Sequence, residues 1–249
     1  MTDNERYLFD LQGYLAIPDA LTPEQLVTLN SILDEHITSD CDADMQNHRF
    51  GGLLDWGAPF RELIDNGPIT PYLELIVGAR FRLDHVYLDV IRSGTSPIGA
   101  TLHGGGHGFD PSQYYRYENG RMHNGLTVVA YSLTDVGAED GGTGCVPGSH
   151  KSNFGFPGEW RNMDEGLQPI IRRVTGPAGT AVIFTEALTH GALPWTGAGE
   201  RRTIFFKFSP HAVSWAAGYF DAGKYDGLSQ RQREILEAPN ARYGGRPQP

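Results

Sequence analysis

The spacing of apolar positions changes near residue 80. Before it, the repeat is helical: in GYLAIPDALTPEQLVTLNSILDEHI, Leu26, Leu29, Ile32 and Leu33 line one face. Thr22 is placed to cap this helix, Pro23 suits its first position, and Gln25 closes a capping box. A shorter segment, ITPYLELIVG, predicts a second helix stopped by Gly78. From about residue 81 the chain runs in short stretches rich in Val, Ile, Leu, Phe and Tyr, divided by Gly, Pro, Asp and Ser: FRLDHVYLDVIRS, GLTVVAYSLTDV, GTAVIFTEALTHG and RRTIFFKFSP. Their succession predicts a mainly β sandwich or closed double sheet, not alternating β and α units. Near the end, LSQRQREILEAP sets Ser229 before Gln232 with Ile235 and Leu236 behind, predicting a final helix ended by Pro239.

At 249 residues the chain fits one domain: a helical part over about 1–80, a β core over about 81–210 and a helix over about 228–238. The 32 glycines suit a turn-rich β core. No apolar run approaches the roughly 18 residues needed to span a bilayer, and MTDNERYLFDLQGY lacks the basic start and apolar stretch of a secretory signal. A cytoplasmic protein that engages no membrane is expected. Two cysteines, Cys41 and Cys145, are too few for a disulfide framework or thiolate cluster. A net charge of -10 argues against a nucleic-acid partner, which selects a basic face. Oligomeric state has no signature in the chain.

Of nine histidines, His36, His48, His150 and His211 sit on the first helix or beside turn residues, where solvated side chains are expected. His85 lies inside a strand-like run and suits a core or supporting role. His103 and His190 differ, since each ends such a run and is followed by glycine, which permits close approach of backbone or ligand. The stretch HGGGH is no zinc-protease motif, because that motif needs a helix and a glutamate. No G-x-S-x-G elbow is present, and Cys145 has no evident histidine partner.

The segments LQGYLAIPDALTPEQLVTLNSIL, LHGGGHGF, GGTGCVPGSHKSNF and GTAVIFTEALTHGALPWTGAGERRTIFFKFSP resemble the phytanoyl-CoA dioxygenase family of Fe(II)/2-oxoglutarate-dependent oxygenases. The resemblance implies a double-stranded β-helix, jelly-roll or cupin-like, with flanking helices. It implies Fe(II) held by His103 and His190, and 2-oxoglutarate held through Arg201. It further implies a small-molecule substrate and O2, with 2-oxoglutarate converted to succinate and CO2 as hydrogen is removed from an aliphatic C–H bond. By strand phase Arg201 shares a face with Thr203, Phe205 and Lys207, while Arg202 shares one with Ile204, Phe206 and Phe208. Arg201 has the family's spacing from His190.

The chain departs from the family's His-x-Asp at Gly105, which has no donor atom. Related halogenases carry His-x-Gly or His-x-Ala and bind halide there, so chloride at Gly105 and C–H chlorination form one alternative. Three side chains offer others. Asp110 could swing in from the glycine-rich loop, or open a turn before Pro111. Glu186 stands four residues before His190, on the same face of a regular strand, as a ligand or as a residue orienting a histidine. His107 could complete a three-histidine site. Hydroxylation with an unusual third ligand is the leading expectation; a jelly-roll binding protein without turnover is the remaining one. Strand-end position marks Tyr87, His107, His123, Asn124, Tyr131 and Trp195 as substrate-pocket candidates.

Overall fold

Helix caps lay out the amino-terminal part. In the computed structural model, which describes residues 1–93, 98–105, 110–163 and 166–241, Thr2 and Glu5 form a capping box that opens α1 (Asp3–Gln12), and Gly13 ends it in a left-handed conformation at φ 84°. The hydrophobic pattern predicts no helix here, because Phe9 is the only residue α1 buries. Strand β1 (Tyr14–Ile17) follows. Thr22 and Gln25 then form the expected box at α2 (Pro23–Asp40), whose Leu29 and Leu33 are buried. Next come β2 (Asn47–Phe50), α3 (Ala58–Arg61) and α4 (Thr70–Ile76), the last being the predicted second helix.

The β core comprises β3 (Arg82–Arg92), β4 (Tyr115–Glu118), β5 (Arg121–Asn124), β6 (Thr127–Ser132), β7 (Gly142–Cys145), β8 (Arg172–Val174), β9 (Ala181–Thr185), β10 (His190–Leu193) and β11 (Glu200–Ser209). After it, α5 (Gln230–Ile235) starts at the expected Ser229–Gln232 box and stops earlier than predicted, with Leu236 as its cap. A six-stranded sheet has the order β1-β9-β6-β11-β3-β2, a three-stranded sheet the order β10-β7-β8, and β4 pairs with β5. Every pairing among these strands is antiparallel. The two sheets face one another as a double-stranded β-helix, with helices on the outer face of the larger one.

Alternation along the strands divides two interiors. Val129, Tyr131, Ile183, Ile204, Phe206 and Phe208 pack outward with Leu29 and Leu33 of α2 in the main core. Val128, Ala130, Val182, Phe184 and Phe205 pack inward with Cys145 and Val174 of the smaller sheet. A bulge in β3 resets the phase, since Lys207 opposes His85 while Phe208 opposes Leu83. The extra residue, Asp84, is buried and accepts from Arg82, His85 and the amides of Trp215 and Ala216. Leu83 therefore joins the helical side, and His85, Tyr87 and Asp89 face the smaller sheet.

Two expectations are corrected. The run GTAVIFTEALTHG is not one strand: β9 ends at Thr185, Leu188 N–H donates to the Thr185 carbonyl at 2.9 Å, and the turn over 186–189 carries the chain to the other sheet. His150 and His211 are buried at 2 % and 3 % exposure, because long-range packing covers positions that their neighbours mark as turns. Among the described residues no helix is long and apolar enough to cross a membrane.

His150 yields a test of this packing. Its Nε2–H donates to the Asp10 carbonyl at 3.1 Å, and burial holds its pKa down at about 4. The unfolded chain, with an ordinary histidine value of 6.5, takes up the proton first as pH falls. Stability is therefore full above about pH 6.5 and is lost down to about pH 4. Between pH 7 and pH 5 the His150 share of that loss is about 2 kcal/mol. Urea unfolding should show a loss smaller by about that amount in His150→Gln. An equal loss in both proteins would contradict the burial described.

Candidate active site

His103 joins the smaller sheet through one bridge. It exchanges both backbone hydrogen bonds with His190, each at 2.9 Å, so the two side chains leave the same face with ring centroids 4.3 Å apart. Gly104 makes the approach possible. At φ 75°, a Cβ there would lie 2.6 Å from the Leu188 carbonyl oxygen and 2.7 Å from that of Glu186. Each imidazole donates Nδ1–H to a carbonyl, His103 to Thr101 at 2.9 Å and His190 to Leu188 at 2.7 Å. A carbonyl only accepts, so the proton sits on Nδ1 and each Nε2 keeps its lone pair. Burial, against the pull of Glu186, lowers the His190 pKa to about 4, and the ring is neutral near pH 7.

Both histidines line a cavity of about 450 Å³ between the sheets, with Glu186, Arg201 and Lys207. Glu186 opens the turn before β10. Its Oε2 lies 3.8 Å from His190 Nε2, and its Oε1 accepts from Lys207 Nζ at 2.5 Å. Burial alone would raise the Glu186 pKa, but His190, Lys207 and His103 outweigh it and hold the carboxyl below its usual range. Sequence position does bring Glu186 to His190, through a turn and not through the regular strand expected.

Arg201 projects inward from β11 and is 4 % exposed. Its Nη2 donates to Thr143 Oγ1 at 3.0 Å, while its buried Nε has no hydrogen-bond partner. Burial lowers its pKa to about 10, so the guanidinium stays charged near neutrality. Asp89 in the same cavity is held in bidentate fashion by Arg49 at 2.7 and 2.8 Å. Arg202 projects the other way, toward Glu200, Asn30 and Asp34 at 2.6–2.9 Å. The cavity thus presents two imidazole lone pairs, a carboxylate and a buried cation with an open donor, a set suited to a divalent metal and an anionic co-ligand. Among the described residues no three His, Cys, Asp or Glu side chains are yet drawn together as a metal ion requires.

The other expected residues divide. Tyr87 lines the cavity, stacked on Phe205 at 4.8 Å with Arg49 above its ring at 4.0 Å. His85 lines it too, stacked on Trp215 at 5.0 Å. Tyr131 faces the helices and is wholly buried against Phe206, and Trp195 packs with Ile91 and Val136 while donating to the Gly199 carbonyl. Asn124 is buried and donates to the Ile76 carbonyl, and His123 borders a separate groove beside Asp3 and Arg6. None of these four lines the histidine cavity. Asp110 closes a turn, accepting from Ser112 N–H and Oγ–H at 2.7 and 2.6 Å. His107 lies outside the described residues. Lys207, Thr143, Arg49 and Asp89 are cavity residues that sequence reasoning missed; alternation from Arg201 through Thr203 and Phe205 was the signal for Lys207.

Gly105 borders a different cavity, with Val146, Phe154 and Trp160. Its φ is 95°, and a Cβ there would stand 2.7 Å from Thr189 Oγ1.

Fold and site define a double-stranded β-helix protein with a histidine-pair cavity between its sheets. Residues 100–203, which hold His103, Glu186, His190 and Arg201, match the family model Phytanoyl-CoA dioxygenase (PhyH). HygX from Streptomyces hygroscopicus, solved with nickel and 2-oxoglutarate bound, is similar at a TM-score of 0.78 and 24% identity over 89% of this chain and 96% of that one. AviO1 from Streptomyces viridochromogenes Tue57 is similar at 0.61 and 19%, over 84% and 95%. SnoK, a non-heme alpha ketoglutarate dependent carbocyclase from nogalamycin biosynthesis, is similar at 0.61 and 18%, over 90% of each chain. At these identities the structural likeness establishes the fold. No curated protein sequence matches the chain.

Because of its left-handed backbone and the nearby Thr189, Gly105→Ala should lose about 1 to 3 kcal/mol in chemical denaturation. Unchanged stability would contradict the backbone described there.

Proposed function

We propose that the protein is an Fe(II)/2-oxoglutarate-dependent oxidoreductase acting on an aliphatic C–H bond of a small molecule. The observation that carries this reading is the histidine pair, each ring fixed by a carbonyl with Nε2 free, in one cavity with the unpartnered Nε of Arg201. His103 and His190 hold the metal. Arg201, steadied by Thr143, takes the distal carboxylate of 2-oxoglutarate; the unmet donor of a buried guanidinium is the feature such an anion satisfies. Iron, when bound, supplies O2 activation coupled to conversion of 2-oxoglutarate to succinate and CO2. Tyr87, His85 and Trp215 border the space left for substrate and limit water there. The match over residues 100–203 and the metal and 2-oxoglutarate bound to HygX support the same chemistry.

Hydroxylation or a related oxidation is the favoured outcome. The chlorinating alternative requires halide beside Gly105, a residue that borders the other cavity and whose absent Cβ would point to Thr189 Oγ1 at 2.7 Å.

Calorimetry of 2-oxoglutarate binding to the Ni(II)-loaded protein tests the anchor. Arg201→Met should weaken binding by about 100-fold, as expected for a lost charge-assisted bidentate contact. Arg202→Met should stay within about threefold of wild type, since its partners are the half-exposed groups of α2 and Glu200. Equal losses in both variants, or none in Arg201→Met, would overturn the assignment.

A further inference from the structure

We infer that Glu186 supplies the carboxylate of the metal centre, from the turn before His190, and that Lys207 is the counter-ion it gives up to the metal. This rests on the reading of His103 and His190 as metal ligands.

The cavity has two carboxylates among its described lining residues, Asp89 and Glu186. Asp89 has both oxygens on Arg49. Asp110, the loop carboxylate after His103, accepts twice from Ser112 through Oδ1 and is not among the described residues lining this cavity. Glu186 divides its oxygens differently, with Oε1 on Lys207 and Oε2 at 3.8 Å from His190 Nε2. That spacing exceeds a hydrogen bond, yet it approaches that of two atoms sharing one ion. Donors each about 2.1 Å from a metal lie about 3.0 to 3.6 Å apart at angles of roughly 90° to 120°, so a movement of a few tenths of an ångström brings Oε2 into that range.

The loop after His103 explains why the carboxylate comes from elsewhere. Gly104 has no room for a side chain because the carbonyls of Glu186 and Leu188 press against it at 2.7 and 2.6 Å. Gly104 thus admits the turn that carries Glu186, while at Gly105, where the family's carboxylate would stand, a Cβ would meet Thr189 Oγ1 at 2.7 Å. Lys207 completes the device. A buried ion pair is seldom the most stable filling for its space, which makes a functional reason for keeping it worth testing. A divalent ion and the Lys207 ammonium compete for one carboxylate, and the face of Tyr87, 5.4 Å from Lys207 Nζ, retains the ammonium when the metal wins.

The test is Co(II) titration without 2-oxoglutarate, by calorimetry and visible absorption, on wild type, Glu186→Gln, Lys207→Met, the double variant and His190→Ala, each checked for folding by circular dichroism. Wild type should bind one Co(II) and His190→Ala none. Glu186→Gln should bind at least 10-fold more weakly with an altered cobalt spectrum, Lys207→Met severalfold more tightly, and the double variant as weakly as Glu186→Gln. Wild-type affinity in Glu186→Gln would overturn the inference, as would recovery in the double variant, where Glu186 would merely neutralise Lys207. If Glu186→Gln fails to fold, Lys207→Met decides alone, with weaker binding contradicting the inference. Failure of wild type to bind Co(II) would overturn the underlying metal reading as well.

Discussion

His103 and His190 meet through two backbone hydrogen bonds beside Gly104, and the metal site proposed for the molecule depends on that contact. The bridge brings the two rings to one face. It also presses the 186–189 turn against Gly104, and that turn carries both Glu186 and the Leu188 carbonyl that fixes the His190 proton on Nδ1. A side chain at 104 would displace the turn and disturb three things together: the bridge, the tautomer and the position of the carboxylate. On the proposed reading, this one contact lets a site without the loop carboxylate bring a carboxylate to the histidine pair from the neighbouring turn.

The larger sheet supplies the second constraint. Alternation along β11 sends Arg201, Thr203, Phe205 and Lys207 into the space between the sheets and Arg202, Ile204, Phe206 and Phe208 toward the helices. Charges placed between the sheets are costly unless paired. Arg49 is matched to Asp89 and Lys207 to Glu186, while Arg201 keeps an unsatisfied donor. The low dielectric that penalises this arrangement also strengthens any bond that an incoming carboxylate makes.

Legibility in the sequence followed local physics. The capping boxes at Thr22 and Ser229 are short-range hydrogen-bond patterns, and both helices start where those residues predict. Resemblance marks His103, His190 and, by its spacing from His190, Arg201; strand phase alone leaves Arg201 and Arg202 open, and only the structure turns the first into the cavity and the second toward α2. The 186–189 turn was hidden because Glu186, Ala187, Leu188 and Thr189 include no glycine or proline. Tyr131 was misplaced because every residue of β6 is buried, so no polar face marks which side is which. His85 owes its place to the bulge at Asp84, a register event that periodicity does not reveal. His150 and His211 are covered by distant parts of the chain, and local composition carries no trace of that.

The central claim is that both imidazoles carry their proton on Nδ1 and offer Nε2 to one metal ion. Proton NMR of the Co(II)-loaded protein measures this directly. The account predicts hyperfine-shifted, exchangeable imidazole N–H signals from His103 and His190, each lost on substituting its own histidine. A Co(II)-loaded protein with no shifted imidazole N–H from either residue would contradict it.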